Sequence, residues 1–261
     1  MRPKTKLFVI LWIAGMTGIL SFLLVDLSAL LANLPATAGK AMPFSPLGIK
    51  LLGVIQPTVL MSIAVLVGTT LARKVGLSAP AAEAVAQGQS LTSALKPQIV
   101  PAVIGGFAGG AAIVSIWLIW KRFLPPVFVS QAEKLSTVLP LPTRLLYGGI
   151  TEELLLRWGV MTFLVWLAWR LFQRGRGRPR PINFVIAIVI SSVVFGMGHL
   201  PVASALGAGL TMTIVAYVVI ANSIFGLVAG YLYWQRGLEA AIMAHMSAHV
   251  LFVTLMYLRI T

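Results

Sequence analysis

Residues 145–164 read Leu145-Leu-Tyr-Gly-Gly-Ile-Thr-Glu152-Glu153-Leu-Leu-Leu-Arg157-Trp-Gly-Val-Met-Thr-Phe-Leu164. The stretch is long and apolar enough to cross a bilayer, which takes about 20 residues. Yet it sets two glutamates side by side and an arginine one turn later. The whole chain of 261 residues has only six acidic residues, and two of them fall here. A charge near the bilayer centre costs at least about 2.5 kcal/mol, so an ionisable group at that depth marks a functional site until shown otherwise.

The rest of the chain supplies the membrane context. It is 59% hydrophobic and only 10% charged, against roughly 25% charged in a soluble domain. Seven runs are long enough to span: 7–31, 49–72, 98–120, 145–169, 182–200, 209–233 and 237–257. The expected fold is all-α, a polytopic transmembrane helix bundle of about seven to eight spans. The eighth would be a re-entrant element around Pro126–Val138, otherwise an interfacial helix with Glu133 and Lys134 on its wet face. The connections are short and carry turn chemistry, as at Asn33-Leu34-Pro35 and Pro43-Phe44-Ser45-Pro46. The first run follows basic Arg2, Lys4 and Lys6 and precedes Ala36-Thr37-Ala38, as a signal peptide would. It exceeds the roughly 7–15 residues of a signal core and reads as a retained span.

Net charge is +14. The basic residues lie between apolar runs, where they orient helices and meet anionic headgroups, so no nucleic-acid partner is expected. With a cytoplasmic N-terminus, twelve Lys and Arg fall on the inner side and seven on the outer. The stretch Arg170–Arg180, with five arginines and no acid, decides that orientation. The localisation read from this is integral to a bacterial plasma membrane. There is no cysteine, which excludes disulfides, iron–sulfur clusters and thiol catalysis.

Four polar sites interrupt the later spans: Glu152-Glu153-x-x-x-Arg157, Phe195-Gly-Met-Gly-His199, His245-x-x-x-His249 and Asn222. All three histidines of the chain are among them. Residues four apart share a helix face, while neighbours point about 100° apart. Glu153 and Arg157 therefore form a natural ion pair, which is how a membrane helix tolerates an arginine. Glu152 is left on another face, free to line a cavity as a general base. His245 and His249 share one face. Asn222 reads as glue between helices, and Gly105-Gly106 with Gly109-Gly110 as a close-packing surface.

Several intramembrane chemistries lack their residues. There is no His-Glu-x-x-His of a zinc protease. Asp26 is the only aspartate, so an aspartate pair is impossible. The one Gly-Gln-Ser, at 88–90, lies in a polar loop. What remains resembles the CAAX prenyl protease and bacteriocin-processing family of intramembrane endopeptidases, also called CPBP or Abi. The match runs through Glu152, Glu153 and Arg157, then Phe195 and His199, then His245, over about residues 140–255. On this resemblance residues 1–139 are N-terminal transmembrane helices and 140–257 a CPBP-like catalytic helical core, one integral unit without a separate soluble domain.

The resemblance implies that Glu152 activates a water with help from His199. His245 would stabilise the oxyanion, with His249 where the family carries Asn or Asp. Arg157 and Phe195 support. The same residues, Glu152, His199, His245 and His249, also make a donor set for a divalent metal such as zinc, so the expected cofactor is either none or that metal. Partners implied are the lipid bilayer and a peptide or protein substrate, including a lipidated one; the sequence does not set an oligomeric state. Two other classes fit membrane-buried Glu and His: a proton- or ion-coupled transporter, and a non-catalytic immunity or scaffold protein of the same fold.

Overall fold

The computed structural model describes residues 2–26 and 46–258. Among them there are seven helices long and apolar enough to cross a membrane and no strands. The spans run Pro3–Leu24, Lys50–Val75, Leu91–Phe123, Leu141–Gln173, Pro181–Ala205, Met212–Arg236 and Leu238–Tyr257. Each expected run is present. The turn residues read at 33–46, apart from Pro46, and Ala36–Ala38 lie outside the described residues. The short helix Pro126–Val138 forms where the sequence placed it, with Glu133 and Lys134 exposed and Phe128 buried edge-on against Tyr217.

The first span ends at Leu24 rather than 31, and the approach to the third span also differs from the hydropathy reading. The third span begins at Leu91 rather than 98, capped by the Ser90 hydroxyl, which accepts from the Ser93 N–H. The connection before it holds a helix the sequence left as loop, Pro80–Gln87. Its buried face is made of alanines, too weak an apolar signal to stand out beside the spans.

The fourth span is the hub. It packs against the first, second, fifth and seventh spans. Polar bonds as well as apolar contact hold it to the first: Thr151 Oγ1 donates to the Gly15 carbonyl at 2.8 Å and Thr143 Oγ1 to that of Ser21 at 2.9 Å. With no hydrophobic force between helices in lipid, close packing and such bonds drive association. The third span shows the same logic. Side chains at Gly105 and Gly109 would strike Leu232 and Phe225 of the sixth span, and at Gly106 and Gly110 the Ala244 and Ala248 backbone of the seventh. One glycine double pair thus seats two helices.

The fourth span is also irregular where it carries charge. Residues Arg144–Glu152 and Leu154–Met161 are π-helical, with Glu153 between them. In a π-helix the hydrogen bond reaches from residue i to i+5 rather than i+4, and such segments are frequent at functional sites.

Candidate active site

Glu152 and Glu153, adjacent in sequence, have unlike surroundings. Glu153 is fully buried, as is Arg157, and the two form an ion pair at 3.2 Å. The pairing read from i,i+4 spacing is present. Arg157 also donates from Nη2 to the Gly226 carbonyl at 3.0 Å, and its guanidinium lies over the Phe195 ring, 5.0 Å from the centroid. Cation, carboxylate, carbonyl and ring together compensate a charge that apolar surroundings alone would not hold.

Glu153 has a second partner that the sequence did not show. His245 Nδ1 stands 2.7 Å from its other oxygen. A carboxylate only accepts, so Nδ1 carries the hydrogen and the neutral ring presents a bare Nε2. That Nε2 faces Glu152, 4.0 Å from Oε2, a gap that one water spans. The seventh span begins buried in the protein. Leu238 is fully buried, its N–H bonds to the Ser78 carbonyl at 3.0 Å, and the helix Pro80–Gln87 packs beside it.

Glu152 keeps 21% of its side chain exposed. It lines a cavity of about 650 Å³ between the second, fourth and fifth spans. His199 lines the same cavity, as do Tyr147, Gln56 and Phe195. His199 Nδ1 lies 2.9 Å from the Phe195 carbonyl. A carbonyl too can only accept, so this ring also turns a bare Nε2 outward. Phe195 meets His199 edge-on at 4.8 Å and His245 at 5.8 Å. It therefore holds both imidazoles as well as Arg157.

His249 is placed differently from its expected role. It does not line the cavity. Its ring stacks behind His245 at 4.8 Å, nearly parallel, and its buried Nε2 has no hydrogen-bond partner. That nitrogen fills the space a Cβ at Gly148 would take. As an oxyanion donor it is out of position. Of the four residues read as a metal set, His249 is turned away from the cavity. Among the described residues no group of three or more acidic or histidine side chains is arranged to hold an ion. Asn222, expected to join helices, donates to the Val218 carbonyl of its own helix at 2.8 Å.

Tyr147 is a cavity residue that the sequence reading missed. Five residues before Glu152, it falls on the wrong side of an α-helix; only the π-helical register brings the two to one face.

No curated protein and no solved structure matches the chain. Residues 134–251 match the family described as Type II CAAX prenyl endopeptidase, Rce1-like, a segment that holds the glutamate pair, Arg157, Phe195 and all three histidines.

Proposed function

We propose that the protein is an intramembrane endopeptidase that hydrolyses a peptide bond with a water activated by Glu152. The observation that carries this reading is the convergence of Glu152 and His199 on one cavity, with His245 Nε2 4.0 Å behind the carboxylate. A transporter needs its polar groups along a path between the two faces. Here they gather at one point.

The step follows from the proton inventory. Glu152 takes a proton from a water that also donates to the bare Nε2 of His199, and the hydroxide adds to the substrate carbonyl carbon. The tetrahedral oxyanion collapses, the C–N bond breaks, and the proton on Glu152 passes to the leaving amine. His245, fixed by Glu153, closes the site on the side of Glu152. Arg157 balances Glu153, so that the buried carboxylate can orient His245 without leaving the site with uncompensated charge. The step is written without a metal, because among the described residues no three acidic or histidine side chains are arranged to hold one.

The family description supplies the first substrate to try, a prenylated peptide ending in a CAAX tail. In lipid nanodiscs, Glu152→Gln should lower hydrolysis of that peptide by about 10²–10⁴, the range of a positioned acid–base group, while folding is retained. Wild-type-like cleavage by this variant would sink the assignment. Metal content and chelator sensitivity of the purified protein test the mechanism separately: stoichiometric zinc lost together with activity would overturn the metal-free step.

A further inference from the structure

Stabilising the oxyanion needs hydrogen-bond donors aimed at it, and the two histidines beside Glu152 have none to offer in the neutral state. The Nδ1 hydrogen of His199 goes to the Phe195 carbonyl and that of His245 to Glu153. His249 is outside the cavity, against Gly148. Helix backbone N–H groups are engaged in their own ladders. Of the cavity's side chains only Tyr147 and Gln56 then carry a neutral donor.

Gln56 belongs to the second span and is exposed. Tyr147 is partly buried, on the same π-helical segment as Glu152 and five residues before it. The i to i+5 register stacks the two on one face. The Tyr147 ring is fixed edge-on by Phe22, with centroids 4.5 Å apart at 84°. Its hydroxyl has no hydrogen-bond partner among the described residues, so the proton is free to serve a ligand.

We infer that Tyr147 is a catalytic residue whose phenolic O–H donates to the oxyanion formed beside Glu152, taking the place that His249 leaves vacant. The inference rests on the endopeptidase reading above. It also accounts for the π-helix: an α-helical fourth span would turn Tyr147 away from Glu152.

The test uses the full chain in nanodiscs and two probes. One is the prenylated CAAX peptide. The other is the same peptide with a tetrahedral phosphinate replacing the scissile amide, which mimics the oxyanion. Tyr147→Phe should lower kcat by about 10²–10³, as loss of an oxyanion donor does, with KM and the thermal midpoint unchanged. It should weaken phosphinate binding by a similar factor without weakening binding of the peptide product. Gln56→Ala should stay within about threefold of wild type, a difference of less than 1 kcal/mol. If Tyr147→Phe does not fold, 3-fluorotyrosine at 147 replaces it, and its stronger donor should tighten phosphinate binding.

A Tyr147→Phe protein as fast as wild type, or a loss that follows Gln56 instead, overturns the inference. If that happens while Glu152→Gln is inactive, the endopeptidase reading stands. A Glu152→Gln protein that cleaves normally, or a wild type that neither cleaves the peptide nor binds the phosphinate, removes both.

Discussion

The first three spans and the last four are built from the same apolar alphabet and do opposite work. The last four hold Glu152, Glu153, Arg157 and all three histidines, and each buried charge there is met by a named partner: Arg157 by Glu153, Gly226 and Phe195, and Glu153 also by His245. The first three hold few charges at depth and contribute shape. Gly106 and Gly110 admit the seventh span, Gly15 and Gly18 admit the fourth, and Gln56, Pro57 and Leu60 wall the cavity. The family match starts at residue 134, so it covers the charged half and omits one wall of the cavity. Chemistry is local to a few side chains, whereas shape is shared by the whole bundle.

The sharpest way to break this division is to strip one partner from the charged half. Arg157→Ala leaves Glu153 fully buried and uncompensated, an error worth about 3–5 kcal/mol. The expected outcome is a large loss of folded protein, read as detergent-resistant yield and thermal midpoint. Adding Glu153→Gln should recover much of the stability and none of the activity, because His245 then loses its anionic anchor. Arg157→Ala with full yield would show that the ion pair is not what holds the fourth span.

The second break crosses the halves. A side chain at Gly106 collides with the Ala244 carbonyl, one residue before His245. Gly106→Val should therefore destabilise by about 1–3 kcal/mol, the usual range for overpacking, and should lower kcat as well by shifting His245. Gly53, where a side chain meets open space, is the control: Gly53→Ala should do neither. A Gly106→Val protein that loses stability but keeps kcat would separate the halves more completely than the packing implies.

The same contrast explains what was legible in the sequence. The seven spans and the helix Pro126–Val138 follow from hydropathy and length, which are local properties. The Glu153–Arg157 pair follows from spacing within one helix. The contact from Glu153 to His245 crosses 92 residues and has no local signature, although both ends were marked as unusual. Tyr147 was invisible because residues five apart share a face only in a π-helix, and that register was not read from the sequence. His249 was read from its place in a motif, and motif position does not say which way a ring turns. Gly148 does, by leaving the space that the ring fills.

The smallest expected effect tests the wall supplied by the first half. Leu60 lines the cavity from the second span and is 49% exposed. Truncating it removes apolar contact with whatever occupies the cavity, and little of the protein's own core. Half-burial of a leucine side chain is worth about 1 kcal/mol, so Leu60→Ala should raise KM for a prenylated peptide by roughly threefold to tenfold, with kcat and thermal midpoint near wild type. An unprenylated peptide should show less of this change if the second span meets the lipid chain rather than the peptide. Equal changes for both would put the peptide against the second span. A fall in kcat without a change in KM would mean that the second span positions the reacting groups, and the separation of chemistry from shape would not hold at this wall.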